Sequence, residues 1–286
     1  MAELLKGAPV AKAINERTGR IVEELAAKNI VPTLAILRAG ERKDDISYEN
    51  SAVKKCDAVG INVKKVVVPE DISADEFYDE IRKLNEDEDV HGILMFRPLP
   101  KQIDEDKARN LIDPSKDIDC CTNLSLAGVF SNTDIGYPPC TAQAVIEMLD
   151  YYDIPVKGKN AAVLGRSLVI GRPVAMMLMH KNATPTICHT KTVGTADIAK
   201  ASDIVIACTG HGESVGKEFF KEGQTVIDVG INWSDKKNKL CGDVDLEAAE
   251  PVVANITPVP GGVGAVTTAV LLFHVADSAM KRNSRS

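Results

Sequence analysis

The sequence predicts an α/β protein of two domains, and three observations carry that prediction. Over the first 100 residues, stretches with helical periodicity alternate with short apolar strand-like runs. The same alternation restarts after residue 140. Within that second half, Ala161-Ala-Val-Leu-Gly-Arg-Ser-Leu-Val-Ile-Gly-Arg-Pro173 has the outline of a strand, a glycine turn and a helix start. Such alternation builds a mostly parallel sheet covered by helices, and 286 residues suffice for two domains, each with its own core. The boundary is expected near 140–150, giving a first domain over 1–141, joined by a C-terminal helix at 265–286, and a second over 142–264.

Residues 8–28 read as a helix with mixed charge outside, Thr33 to Leu37 as a strand, and Arg38 to Asp45 as a polar loop. Tyr48 to Ala58 reads as a helix ended by Gly60, Asn62 to Val68 as a strand, Ala74 to Asn85 as a helix and Gly92 to Phe96 as a buried strand. In the second half, Ala142 to Tyr151 is helical and leads into the strand at 161–164, with a helix from Val174 to Met179 after the turn. Pro185 to Cys188, Ile204 to Cys208 and Thr225 to Val229 are strand-like, Ala196 to Ala201 is helical, and Ala265 to Ala279 is a long apolar helix after a Pro/Gly-rich passage. No internal repeat or low-complexity region interrupts them.

Composition excludes several classes. A hydrophobic share of 44% with 26% charged residues is that of an ordinary soluble globular protein. A net charge of −7 with no Lys/Arg-rich run argues against nucleic acid as a partner. No apolar run is read as a membrane span of roughly 20 residues, and Met1-Ala-Glu-Leu-Leu-Lys-Gly7 lacks the layout of a signal peptide. Seven cysteines without disulfide or zinc spacing fit reduced thiols in the cytoplasm.

The turn carries the first chemical signal. It would bring backbone N–H groups and the positive end of a helix dipole to a phosphate, and Pro173 suits a first helical turn because its missing N–H costs nothing there. Gly165 and Gly171 are six apart and Ser167 stands where a second glycine is usual, so an ordinary βα turn is the other reading of the glycines alone. Many dinucleotide folds end the second strand in an acid that holds the ribose 2′-hydroxyl. Here Cys188-His-Thr-Lys-Thr192 has none, and Arg166 sits within the turn. A cation and hydroxyls without an acid favour a 2′-phosphate, hence NADP over NAD; solvated charges are the other reading of Arg166 and Lys191. His189 reads as a hydrogen-bonding wall residue, since no other metal ligand is suitably spaced, and no metal site is expected.

Gly165-Arg-Ser-Leu-Val-Ile-Gly-Arg-Pro173, Cys188-His-Thr-Lys-Thr192 and Thr257-Pro-Val-Pro-Gly-Gly-Val-Gly-Ala-Val-Thr267 together resemble the methylenetetrahydrofolate dehydrogenase/methenyltetrahydrofolate cyclohydrolase family. Pro114-Ser-Lys-Asp-Ile-Asp119, Pro139-Cys-Thr141, Asp228-Val-Gly-Ile-Asn232 and Gly242-Asp-Val244 extend the likeness in order along nearly the whole chain. The resemblance implies a homodimer whose subunits hold folate in a cleft between a folate-binding domain and a Rossmann-type NADP domain. The cofactor contacts it implies are Gly165, Arg166, Ser167, Gly171, Pro173, His189, Thr190, Lys191, Thr209, Gly210 and Ile231. Tyr48 matches the tyrosine that packs on the pterin, and its aromatic face and hydroxyl suit that role. Asp119 matches the carboxylate that binds the pterin donors, and Pro98 a wall of the folate pocket. Pro260, Gly261, Gly262 and Gly264 permit close backbone approach to a ligand, with Thr267 a hydroxyl contact.

Two positions depart from the family. A lysine four residues after the tyrosine is usual, on the same helix face, and here that position is Ala52. A glutamine two residues before the matching proline is usual, and here Phe96 stands in its place, able neither to donate nor to accept a hydrogen bond. Lys55 lies near the Tyr48 face one turn farther along, while Lys54 lies off it. The expectation is that hydride transfer from methylenetetrahydrofolate to NADP survives and cyclohydrolase activity is weak or lost, a separate cyclohydrolase then acting on the product. A fully bifunctional enzyme with Lys55 or Lys54 replacing the usual lysine is the alternative. A non-catalytic folate- or nucleotide-binding regulator is the reading from another class.

Overall fold

Two parallel sheets organise the computed structural model, which describes residues 1–235 and 237–284. Residues 285 and 286 of the expected C-terminal helix lie outside the described residues. The chain divides into two units, one formed by Met1–Lys12 with Pro139–Val270 and the other by Ala13–Pro138 with Leu271–Ser286.

The unit built mainly from the first half holds a three-stranded sheet in which β2 (Thr33–Ala39) is central, flanked by β3 (Asn62–Val68) and β4 (Gly92–Met95), all parallel. Leu34 to Leu37 are buried, the continuous apolar run of a strand covered on both faces. The helix α1 (Gly7–Ala26) enters this unit, followed by α2 (Lys43–Ala58), α3 (Ala74–Glu86), α4 (Glu105–Leu111) and α5 (Asn123–Ser131). Phe77 and Ile81 of α3 pack with Leu37, Ile93 and Ile112, each buried side chain contributing about 2 kcal/mol. Both ends of α3 are satisfied. Ser73 and Glu76 form a reciprocal capping box at the start. At the end, the fully buried Lys116 donates from Nζ to the carbonyls of Leu84, Asn85 and Asp87 at 2.8, 2.7 and 2.6 Å.

Two boundaries differ from the sequence reading for identifiable reasons. β2 runs on through Arg38 and Ala39, because the Arg38 charge is paired inside the fold with Glu49 at 2.8 Å. α2 starts at Lys43, five residues before Tyr48; that first turn has no apolar periodicity, but Asp44 and Asp45 favour the positive helix end.

The other unit holds six parallel strands in the order β1 (Glu3–Leu4), β11 (Asn255–Ile256), β8 (Thr225–Asp228), β7 (Ile204–Ala207), β5 (Asn160–Leu164) and β6 (Thr184–Cys188). Helices α6 (Cys140–Tyr151), α7 (Gly171–His180), α8 (Thr195–Ala201) and the short α9 (Leu246–Ala249) accompany it, with an antiparallel hairpin of β9 (Asn232–Ser234) and β10 (Lys239–Cys241). Its core includes Ala162, Leu164, Val205, Val226 and Ile256. β1 pairs with β11, so the first residues join this sheet rather than the 1–141 block; a two-residue strand leaves no periodic signal.

The last helix, α10 (Val263–Asn283), is long and apolar enough by length and composition to cross a membrane, which corrects the reading that no such segment exists. Its apolar side chains serve the folded cores, with Val266 and Val270 buried in one unit and Leu272, Val275 and Ala279 in the other.

Candidate active site

The glycine turn after β5 is a close-packed cradle. Gly165 has φ +149°, and a Cβ there would lie 2.2 Å from the Cys208 carbonyl oxygen. At Gly171 a Cβ would lie 2.2 Å from the Gly165 carbonyl oxygen, so the first residue of α7 rests directly on the turn. The intervening loop is closed by Ser167, whose hydroxyl accepts from Ile170 N–H and whose carbonyl accepts from Arg172 N–H, both at 3.1 Å. A serine there tightens the loop by its side chain, which explains the departure from a glycine. Pro173 is buried in the first turn of α7.

β6 and β7 flank β5 on opposite sides, so the strand order reverses beside this turn, the usual ligand position in an open parallel sheet. A cavity of about 560 Å³ opens there. It brings together Gly165, Arg166, Ser167, His189, Thr190 and Thr209 from the sequence-derived set. His189 Nδ1 accepts from Lys191 N–H at 3.1 Å, while the Lys191 side chain is exposed and does not line the cavity. Ile231 does not line it either; it belongs to the second cavity described below. Thr195, Cys208, His211, Ser214 and Phe219 also line the cavity and were not singled out from sequence. Burial, with the nearby Asp243 and Asp228, pushes the Cys208 thiol up to about 12, so it stays a neutral wall group.

Two buried carboxylates underlie the β7 side. Asp243 accepts the N–H groups of Thr209 and Gly210 on Oδ2 and the amide of Asn232 on Oδ1 at 2.9 Å. Asp228 accepts from Gly230 and Asp243 N–H on Oδ1 and from Val244 N–H on Oδ2, at 2.9 to 3.0 Å. Burial raises the Asp228 pKa to about 7, only partly offset by those three backbone donors, and the Asp243 charge adds to the rise.

A second cavity of about 190 Å³ in the same unit is lined by Ile231, Leu240 and residues 258–265, which include Pro260 and Gly261 ahead of α10 and Gly264 in its first turn. Gly261 has φ +103°, and its carbonyl accepts from Gly7 N–H at 2.8 Å. The Thr267 hydroxyl donates back to the Val263 carbonyl at 3.4 Å, one turn into α10.

The remaining sequence-derived residues lie in the other unit. Tyr48 on α2 is half exposed, and its ring meets that of Phe96 edge-on, with centroids 5.5 Å apart and planes at 62°. Phe96 and Ala52 are both buried, while Lys54 and Lys55 are exposed. Pro98 is exposed after a cis Arg97–Pro98 bond, and its carbonyl accepts from Arg42 at 3.3 Å. Asp119 is partly buried after the Lys116 segment. Tyr48's neighbour Glu49 points into the fold, paired with Arg38 and Lys65, each at 2.8 Å. Burial raises its pKa, but the hydrogen bonds and charges of Lys65 and Arg38 outweigh this and hold it below the usual carboxylate range. Burial pushes Lys116 down to about 8. Among the described residues, no cluster of three His, Cys, Asp or Glu side chains is arranged to hold a metal.

Comparison with known proteins agrees with this layout. Residues 5–119 match the family model for the catalytic domain of tetrahydrofolate dehydrogenase/cyclohydrolase, and residues 139–283 match the model for its NAD(P)-binding domain. The bifunctional protein FolD of Carboxydothermus hydrogenoformans is 49% identical over 275 residues, covering 96% of each chain. The crystal structure of the bifunctional FolD enzyme of Campylobacter jejuni superposes with a TM-score of 0.94 at 35% identity, covering 99% of this chain and 100% of that one. A FolD structure from Trypanosoma brucei, described as complexed with NADP and an inhibitor, superposes with a TM-score of 0.89 at 36% identity, covering 100% and 99%.

Proposed function

The chain belongs to the tetrahydrofolate dehydrogenase/cyclohydrolase family, and from that premise we propose that it oxidises 5,10-methylenetetrahydrofolate to the methenyl form with NADP. The observation that carries the dinucleotide half is the Gly165–Gly171 contact, a cradle that a Cβ would fill. The cavity fits such a group: Gly165, Arg166 and Ser167 of the turn line it, and Arg166 and Ser167 would supply a cation and a hydroxyl for a 2′-phosphate. Bound there, NADP supplies the hydride acceptor. The departing hydride leaves a cation stabilised by the flanking folate nitrogens, so the chain has to position the reactants and needs no strict general base. On this reading Tyr48 stacks on the pterin, Asp119 accepts from its N–H donors, Pro98 walls the folate pocket, and Pro260, Gly261, Gly264 and Thr267 contact substrate.

The hydrolytic step divides two readings. Relatives 45 to 49% identical across the chain bear the name bifunctional, which favours both activities over the expectation of a weak or lost cyclohydrolase. A bifunctional chain would have to draw its hydrolytic lysine from Lys55 or Lys54, since Ala52 offers none. One specific observation favours the narrower dehydrogenase: the Phe96 ring packs on the Tyr48 ring and Ala52 is buried, so neither of these two positions supplies the polar side chain usual in the family. The relatives' two activities lend no support to a separate cyclohydrolase or to a non-catalytic regulator.

One assay that follows NADPH formation and methenyltetrahydrofolate disappearance together decides these points. NADPH formation is expected, and its absence refutes the dehydrogenase. Rapid hydrolysis of supplied methenyltetrahydrofolate that is lost in Lys55→Ala establishes Lys55 as the replacement. A parallel run with NAD tests the 2′-phosphate assignment, which a strong NAD preference would overturn. The same proposal makes the protein a cytoplasmic homodimer, for which sedimentation velocity and cell fractionation are the checks.

A further inference from the structure

We infer that Asp243 is a positioning residue for the dinucleotide, its carboxylate fixing the Thr209–Gly210 backbone at the β7 side of the cavity, with Asp228 fixing Asp243 in turn. The inference rests on the proposed dinucleotide reading for what the cavity holds. The geometry is interlocked. Asp243 is fully buried and binds the two consecutive N–H groups that follow Cys208. Its own N–H and that of Val244 are bound by Asp228. A Cβ on Gly230 would lie 2.2 Å from Asp243 Oδ1, and a Cβ on Gly242 would lie 1.8 Å from Asp228 Oδ2. Each carboxylate thus occupies the space that a side chain on a glycine beside the other would need, and the bond from Asp243 N–H to Asp228 Oδ1 ties the two together.

What this clamp holds is functional surface. Thr209 lines the cavity, and its hydroxyl accepts from His211 N–H and pairs with the Ser214 hydroxyl, both at 3.1 Å. His211 and Ser214 line the cavity as well. Arg166 and His189, at the ends of β5 and β6, mark the side proposed for the 2′-phosphate; β7 ends on the opposite side of β5. The clamp therefore acts on the half of an extended dinucleotide remote from its adenosine phosphate. Asp243 touches no ligand itself: it works through Thr209 and Gly210.

The test compares NADP with adenosine 2′,5′-bisphosphate, a fragment confined to the adenosine end, by calorimetry on the whole chain. Asp243→Ala is expected to weaken NADP about tenfold or more, as loss of charged hydrogen bonds does, while fragment affinity stays unchanged. Amide hydrogen exchange at Thr209 and Gly210 in the ligand-free protein is expected to accelerate. Asp243→Asn is expected to recover most of the NADP affinity, because one amide oxygen can take both N–H groups while its nitrogen donates to a flipped Asn232. Asn232→Asp, which sets a second carboxylate against Asp243, is expected to weaken NADP, and combining it with Asp243→Asn to restore binding; this pair carries the test if Asp243→Ala does not fold. Equal loss of both ligands, unchanged NADP affinity or failure of the exchanged pair to recover overturns the inference. Absence of NADP binding by the unaltered chain overturns the dinucleotide reading itself.

Discussion

The turn after β5 and the Tyr48 face of α2 are both sites named from sequence, yet they are held by different physics. The turn is fixed by what is missing: glycines at 165 and 171 let backbone meet backbone where any side chain would collide. The α2 face is fixed by what is present, Tyr48 against Phe96 above and the Glu49 carboxylate between Arg38 and Lys65 below. Backbone contacts tolerate almost no substitution, whereas a side-chain surface can be repainted while its helix stays in place. That difference accounts for an intact family turn in the same chain as Ala52 and Phe96.

The sharpest way to break this comparison is Gly165→Ala. A Cβ 2.2 Å from the Cys208 carbonyl at φ +149° is expected to cost about 3 kcal/mol of stability and about 100-fold or more in NADPH binding, read by denaturant unfolding and fluorescence titration. Next is Tyr48→Ala, expected to raise the KM for methylenetetrahydrofolate about tenfold or more through loss of an aromatic face with NADPH affinity unchanged. A matched loss of both ligands would show that the two regions are not independent. Arg166→Ala is expected to lower the NADP-over-NAD preference in kcat/KM about tenfold; an unchanged ratio would return Arg166 to the solvated surface.

The smallest effect is a pH dependence. Asp228 has its folded pKa raised to about 7, so between about pH 4 and 7 the folded state holds a proton that the unfolded chain has released. Stability from this group is present in acid, falls as pH rises through 7 and levels off above it. Asp228→Asn is expected to flatten that part of a Tm-against-pH curve, and an unchanged slope would assign it elsewhere.

The alternation of elements was legible because buried strands and amphipathic helices write their periods into sequence, and the turn because its glycines interrupt such a period. The supports behind the sites were not. Asp228 and Asp243 stood within motifs, but a carboxylate that accepts backbone N–H groups looks like any surface acid until strands from distant segments converge on it. Glu49, Arg38 and Lys65 lie in a charged stretch that would ordinarily be solvated. The helix start at Lys43 and the two-residue β1 lacked any periodic pattern. Sequence singled out residues that line the cavities better than the buried charges that lie behind them.

The seven free cysteines give the molecule a built-in clock. Cys56, Cys120 and Cys121 belong to one unit and Cys140, Cys188, Cys208 and Cys241 to the other, and none is fully exposed. A thiol reagent reaches such groups as the surrounding structure opens. Pulse labelling followed by peptide mass analysis therefore times the opening of each unit separately, without a single engineered label. Saturating NADP should slow the clock at Cys208, which lines the cavity beside the glycine turn, while leaving Cys56 to keep its own time.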